Sequence, residues 1–183
     1  MSGVQKPFLK WVGGKTQLLS CILPKIPNEI NNYHELFLGG GSVLLAVLSL
    51  QKQEKLKING SIYAYDLNKS LIDLYNHLKN NKNEFFDAVT SISEQYNSIK
   101  QFNCEKSERK PETLEVALKS KESYYYWMRK VYNETSISSI QKSAFFLFLN
   151  KTCFRGLFRE GPNGYNVPFG NYKSSLILIT KET

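Results

Sequence analysis

The stretch Glu35-Leu36-Phe37-Leu38-Gly39-Gly40-Gly41-Ser42 decides the fold, because an apolar segment ends there at three glycines. Residues 34–38 are predicted to form a short strand, and the apolar run over 42–50 predicts a buried helix. A second strand is predicted over residues 57–65, which are rich in β-branched and aromatic side chains, and it ends at Asp66. This order of strand, glycine turn, helix and strand is typical of the start of a doubly wound α/β domain.

Two amphipathic helices are predicted beside these elements. The first covers residues 15–26, with Pro24 and Pro27 marking its end, and the second begins after Asn68, whose side chain can cap it. Each has one apolar face that can pack on a sheet. These faces comprise Leu18, Leu19, Ile22 and Leu23 in the first helix and Leu71, Ile72, Tyr75 and Leu78 in the second.

The pattern changes after the polar run at 80–83. From there to about residue 151 it is helical, with segments starting at Phe85, Leu114 and Ser138 and a charged loop over 101–112. The glycines and Pro162-Asn163-Gly164 within 154–172 predict a hairpin or a structured loop. We therefore expect three parts: an α/β part over residues 1–82, a helical part with the hairpin over 83–173, and a lead into a further helix over 174–183.

The composition favours a polyanionic partner and a reducing compartment. The 183 residues carry a formal net charge of +8, and residues 1–28 contain four lysines and no acidic residue. The alternative, that this charge only keeps the protein soluble, stays open. Three widely separated cysteines argue against a disulfide framework and against a zinc site. The sequence has no signal-peptide core and no apolar run of membrane-spanning length, so we expect a cytoplasmic protein with no membrane partner and no metal.

The glycine turn and Asp66 together resemble half of a nucleotide-binding site. Glycines after a strand let a ligand approach the backbone, and the following helix offers unpaired amides. A carboxylate at the end of the next strand can accept hydrogen bonds from ribose hydroxyls. A tight turn followed by a helix-capping aspartate would give the same pattern.

The segment Lys10-Trp11-Val12-Gly13-Gly14-Lys15-Thr16 offers a second constellation. Gly14-Lys15-Thr16 resembles the end of a phosphate-binding loop, but that loop requires a glycine where this chain has Leu9. Trp11 and Lys15 suit a ligand with a flat ring and a carboxylate, which S-adenosylmethionine has. A core tryptophan and a solvated lysine remain the alternative.

Three motifs together resemble the Dam-like adenine-N6 DNA methyltransferases. They are Lys-Trp-x-Gly-Gly-Lys near the N-terminus, Phe-x-Gly-Gly-Gly-Ser, and Tyr-Ala-Tyr-Asp-Leu-Asn. The resemblance implies a partial Rossmann-like, S-adenosylmethionine-dependent methyltransferase fold with an inserted helical DNA-recognition domain. It implies that the cofactor contacts are Trp11, Lys15, Phe37, Gly39, Gly41 and Asp66. This chain departs from the family at Leu36, where a proline is usual.

The hairpin region interleaves aromatic residues with arginines, in Phe154-Arg155-Gly156-Leu157-Phe158-Arg159 and in Tyr165-Asn166-Val167-Pro168-Phe169. Arginine can contact both guanine acceptors in the major groove, and apolar side chains can meet a thymine methyl. From the residues alone, an ordinary surface hairpin remains an alternative. The segment also resembles the family's target-recognition hairpin, and this implies double-stranded DNA contacts by Lys10, Leu157, Arg159, Pro168 and Tyr172. Arg159 would read guanine.

The family's catalytic Asp-Pro-Pro-Tyr does not occur in these 183 residues, and no two prolines are adjacent. We therefore assign no catalytic residue and expect the chain alone to be inactive. The resemblance implies methyl transfer from S-adenosylmethionine to adenine N6 in a short palindrome, such as GATC or CATG, in a restriction–modification system. The alternatives are a non-catalytic DNA-binding fragment, or one half of a split methyltransferase that a second polypeptide completes. A small-molecule nucleotide-binding domain fits the arginine-rich hairpin less well.

Overall fold

The protein contains short strands and helices in a mixed α/β arrangement. The computed structural model describes residues 3–100, 107–135, 139–172 and 176. The strands are β1 (Glu29–Ile30), β2 (Tyr33–Glu35), β3 (Lys57–Ile58), β4 (Ile62–Ala64), β5 (Glu160–Gly161) and β6 (Gly164–Tyr165). The helices are α1 (Leu19–Ile22), α2 (Ser42–Lys52), α3 (Lys69–Asn80), α4 (Lys82–Ser98), α5 (Leu114–Ala117), α6 (Lys121–Glu134) and α7 (Ile140–Thr152).

Parallel pairing joins the first four strands two by two. β1 pairs with β3, and β2 pairs with β4 with His34 opposite Tyr63. The second ladder continues past the strands, because the Tyr65 amide donates to the Glu35 carbonyl at 2.9 Å and the Leu38 amide donates to the Tyr65 carbonyl at 2.8 Å. The carboxyl ends of both segments therefore meet at one edge. The predicted mixed α/β class is confirmed at this level.

The prediction of a single strand over residues 57–65 was wrong, because the structure divides this segment into β3 and β4. Between them the Gly60 amide donates to the Asn31 carbonyl and the Ser61 amide donates to the Asn32 side chain. These bonds bend the chain at the point where its partner also bends between β1 and β2. β1 itself was not predicted, since two residues are too few to show an alternating pattern.

The predicted helix over 15–26 is a chain of shorter turns. A 3₁₀ turn over Thr16–Leu18 leads into α1, and a second 3₁₀ turn over Leu23–Lys25 follows, with Pro24 in its first turn. The tighter 3₁₀ winding rotates side chains off the α-helical face. Leu18, predicted on the apolar face, is accordingly 50% exposed, whereas Leu19 is buried.

The chain divides into two compact units, Met1–Ile72 and Asp73–Thr183, so α3 extends across the division. The boundary expected at residue 82 stays a prediction. Asn68 caps α3 as predicted, because its side-chain oxygen accepts from the Leu71 amide at 3.0 Å.

In the second unit, α7 packs against α4 and α6. The rings of Tyr96, Tyr124 and Phe148 form its buried centre, with centroids 5.4–6.2 Å apart. The helix expected to run continuously from Leu114 is interrupted, because Ser120 caps α6 through its side chain. Within the described residues, no helix is long and apolar enough to cross a membrane. Ser138, residues 101–106 of the predicted loop, and nearly all of the predicted lead at 174–183 lie outside the described residues.

Candidate functional site

A cleft of about 520 Å³ lies in the first unit, where the segments that carry β2 and β4 end. Its volume is within the range of small-molecule sites. Five of the predicted cofactor residues line it: Trp11, Lys15, Phe37, Gly39 and Asp66. Gly41, the sixth, does not line it.

Asp66 lines the cleft and accepts hydrogen bonds from two backbone amides. Its Oδ2 accepts from the Gly39 amide at 2.9 Å, and its Oδ1 accepts from the Asn68 amide at 2.9 Å. A carboxylate offers about four acceptor positions, so both oxygens keep capacity for a further donor. The aspartate therefore fixes the glycine turn and can still accept hydrogen bonds from a ligand.

Trp11 packs directly on the glycine turn. A Cβ atom at Gly40 would lie 2.9 Å from the Trp11 Cβ, and one at Gly39 would lie 3.1 Å from the Trp11 Cδ1. The absence of side chains at these positions therefore admits the indole. The family resemblance placed Trp11, Lys15 and Asp66 together beside this turn, and the structure brings all three to the same cleft. Their contacts with a cofactor stay predictions.

The start of α2 gives the cleft a positive end. Gly41 has a φ of 74°, a left-handed conformation that favours glycine, and it is the residue before the first helical turn. Ser42 and Val43 of that turn line the cleft. Lys15 also lines the cleft, and its ammonium donates to the Gly13 carbonyl at 2.6 Å. Helix amides and a lysine together favour a carboxylate or another anion.

Glu35 places a negative charge in the same cleft, and the sequence analysis missed it. The Tyr33 hydroxyl donates to the Glu35 carboxylate, and both residues line the cleft. Half-burial raises the pKa of Glu35 above its usual value, against the lowering effect of this hydrogen bond. Alternate residues of a strand share a face, so the spacing of Tyr33 and Glu35 was the signal that could have revealed the pair. Among the described residues, no group of His, Cys, Asp and Glu could hold a metal ion.

The hairpin of the second unit is anchored on α6. β5 and β6 pair antiparallel around a tight turn in which Gly164 has a φ of 85°. Asn133 of α6 forms hydrogen bonds with both the amide and the carbonyl of Tyr165, at 2.9 and 3.0 Å. A buried hydroxyl, that of Tyr125, donates to the Val167 carbonyl at 2.8 Å. Main-chain atoms of the hairpin are therefore held by side chains of the helix.

The residues predicted to contact DNA differ in how they are placed. Arg159 and Pro168 are exposed, and Leu157 is half-buried. The Tyr172 hydroxyl accepts from the Arg155 amide and donates to the Cys153 carbonyl, so it braces the hairpin, although the ring is 37% exposed. Lys10 is exposed in the first unit. The structure does not test their DNA contacts, which stay predictions.

Comparison of the sequence with models of protein families identifies the family of this chain. The model for D12 class N6 adenine-specific DNA methyltransferases matches residues 11–182. The chain belongs to this family. The match covers the cleft and the hairpin together, and it confirms the Dam-like resemblance.

Several relatives carry methyltransferase names. A type II methyltransferase, M.MjaIII, of Methanocaldococcus jannaschii is 33% identical over 94% of this chain and 55% of its own length. DNA adenine methylases of Haemophilus influenzae and Escherichia coli are each 31% identical over 92% of the chain, and over 48% and 49% of their own lengths. This D12-class chain therefore spans about half the length of the curated relatives it matches.

Proposed function

We propose that this chain forms the cofactor-binding and DNA-reading part of a site-specific DNA adenine-N6 methyltransferase that uses S-adenosylmethionine. The observation that carries the proposal is the cleft, in which Asp66, Lys15 and the start of α2 surround one space beside the glycine turn. In this proposal the first unit is the beginning of a Rossmann-like domain. The helices and hairpin that follow are an inserted DNA-recognition domain.

The chemistry of the cleft fits S-adenosylmethionine group by group. Asp66 can accept hydrogen bonds from ribose hydroxyls, and Trp11 and Phe37 offer apolar surface to the adenine. Lys15 and the α2 amides favour the methionine carboxylate. The carboxylate of Glu35 suits the cationic part of the same molecule. When bound, the cofactor would supply a methyl group on a sulfonium sulfur, and the cleft residues would hold and orient it.

The DNA-reading role rests on the hairpin and on the net charge of +8. An exposed arginine on a rigid, paired scaffold can read a base while lysines and amides hold phosphates. Relatives named type II methyltransferases support a short palindromic site in a restriction–modification system.

Titration calorimetry with S-adenosylmethionine tests the cofactor site. Asp66→Ala removes the ribose acceptor and should weaken binding by about tenfold or more, since hydrogen bonds to a charged group contribute about 1.5–3 kcal/mol. Lys25→Ala is the matched control for Lys15→Ala, because Lys25 lies in the same unit but does not line the cleft. Equal affinity of the Asp66 and Lys15 variants and the original chain would contradict the proposed site.

A second candidate is a DNA-binding fragment that does not catalyse methylation. This candidate keeps the recognition hairpin, whose exposed Arg159 supports DNA binding by itself. Specific DNA binding without methyl transfer is expected for either a fragment or one half of a split enzyme, and completion in trans by a second polypeptide would single out the split enzyme.

A further inference from the structure

The guanidinium of Arg159 is held along one of its edges. Its Nε donates to the Asn166 Oδ1 at 2.6 Å, and its Nη2 donates to the Asn166 main-chain carbonyl at 3.2 Å. Nε–H and the adjacent Nη2–H lie parallel on one side of the planar group, so one residue occupies this whole edge. The other edge of the guanidinium is its end, formed by Nη1 and Nη2. Within the described residues, the only hydrogen bonds of the Arg159 side chain are those two on the side edge.

Asn166 is itself fixed by its position in the hairpin. Its amide donates to the Arg159 carbonyl at 3.1 Å, which continues the β5–β6 pairing by one step. Its neighbours are anchored on α6, since Tyr165 bonds to Asn133, and the Val167 carbonyl accepts from both Tyr125 and Arg129. The Asn166 side chain is exposed, whereas Tyr165 and Val167 on either side of it are buried.

Gly161 leaves room for this arrangement. A Cβ atom at Gly161 would lie 2.8 Å from the Asn166 Nδ2, so a side chain there would displace the amide group. The amide orientation that offers Oδ1 to Arg159 therefore depends on a glycine across the hairpin.

We propose that Asn166 is a positioning residue for base recognition: it occupies the side edge of Arg159 and thereby presents the end edge, Nη1 and Nη2, to the N7 and O6 of one guanine. This rests on the proposed DNA-reading function. An arginine without this support has many rotamers, and fixing it before binding removes the entropic cost of ordering it on the DNA. The gain appears only at the base that the fork contacts, because phosphate contacts do not require one orientation.

The test begins by selecting bound duplexes from a randomised pool with the 183-residue chain. Each guanine of the enriched site is then replaced by 7-deazaguanine, which lacks the N7 acceptor, and dissociation constants are measured. At one guanine the original chain should lose affinity by at least about fivefold, the lower limit for a bidentate arginine contact. Asn166→Ala should reduce this penalty to less than about twofold, with its backbone bonds to Arg159 retained.

Two further variants separate positioning from a structural role. Asn166→Asp keeps an acceptor for Nε and should restore the 7-deazaguanine penalty, although its negative charge lowers affinity for every duplex. Asn163→Ala, at the exposed turn of the same hairpin, should leave the penalty unchanged.

The outcomes distinguish the inference from the function on which it rests. If the original chain enriches no site and binds all duplexes equally, the proposed DNA-reading function fails and the inference fails with it. If a site is enriched but Asn166→Ala keeps the full penalty, whether or not its overall affinity falls, the function stands and the positioning role is overturned.

Discussion

Glu35 combines a stability cost with a place in the cleft. Half-burial raises the pKa of its carboxyl group, so the folded protein holds a proton more tightly there than the unfolded chain does. Stability should therefore fall as pH rises through the window between the usual value of 4.5 and the raised value. Glu35→Gln should melt a few degrees higher than the original chain at neutral pH, and this difference should shrink in mildly acidic buffer.

The control for Glu35→Gln is Glu94→Gln, on the exposed surface of α4. It should not show this pH-dependent stabilisation. Thermal melts followed by circular dichroism measure both variants. A lower melting temperature for Glu35→Gln at neutral pH would show that the bond from Tyr33, rather than burial, dominates at this position.

Arg155 adopts a backbone conformation that is unfavourable for its side chain. Its φ is 55°, in the left-handed region. Alanine at this position keeps the strain, whereas glycine relieves it, so Arg155→Gly should be more stable than Arg155→Ala by about 0.5–1 kcal/mol. At Lys130, in the middle of α6, the order should reverse, with alanine more stable by about 1 kcal/mol. Urea unfolding measures the stability of the four variants. If alanine is more stable than glycine at both positions, or less stable at both, the strain at Arg155 is refuted.

At the level of elements, one buried ring of α7 contacts both α4 and α6. Phe148 of α7 contacts Tyr96 of α4 and Tyr124 of α6, edge to face. Phe148→Ala should lower the free energy of unfolding by about 3–5 kcal/mol, through lost burial and the cavity left behind. Leu118→Ala, at a partly exposed position after α5, should cost about 1 kcal/mol or less. Comparable losses in urea titrations would argue against an aromatic centre of the second unit.

The sequence predicted the elements whose signals are local. The glycine turn and Asp66 could be placed at one edge because parallel strands meet at their carboxyl ends, and the structure joins them through the Gly39 amide. The place of Trp11 beside the turn followed from the family resemblance and from no local signal, because the contacts of its indole with Gly39 and Gly40 join residues distant in sequence. The break between β3 and β4 also depends on a partner segment, through Asn32. The hairpin followed from its turn residues, whereas its anchors on α6 are tertiary.

At the scale of the molecule, the proposed function assigns cofactor and DNA binding to these 183 residues but not the methyl-transfer step. The cleft and hairpin are present, and no Asp-Pro-Pro-Tyr occurs in the sequence. Because a misplacement of about 1 Å at the reacting group can cost on the order of 10²-fold, the remaining carboxylates should not substitute for the catalytic aspartate. We expect no transfer of labelled methyl groups from S-adenosylmethionine to duplex DNA by the 183-residue chain.

Adding part of a relative to the chain provides the positive control for the methyl-transfer assay. The portion of the Methanocaldococcus jannaschii relative that lies beyond the matched region, fused in frame or supplied as a second chain, should give measurable transfer. Substituting the aspartate of any Asp-Pro-Pro-Tyr it brings should abolish that transfer. Robust turnover by the purified chain alone would instead show that its catalytic group lies among these residues.

The hydrogen bonds from α6 to the hairpin main chain affect how the recognition sequence of such a protein can change during evolution. Tyr125, Arg129 and Asn133 follow one another at intervals of four residues, on one helix face, and each forms a hydrogen bond with main-chain atoms of residue 165 or 167. Because these α6 side chains bond to main-chain atoms of the hairpin, their bonds do not depend on which exposed side chains the hairpin carries. The exposed residues 159, 160 and 166 can therefore be exchanged together, provided that Gly164 stays, because a Cβ there would lie 2.6 Å from the Asn133 Oδ1. New recognition sequences would then arise by a few substitutions in the hairpin while the helices beneath it stay the same.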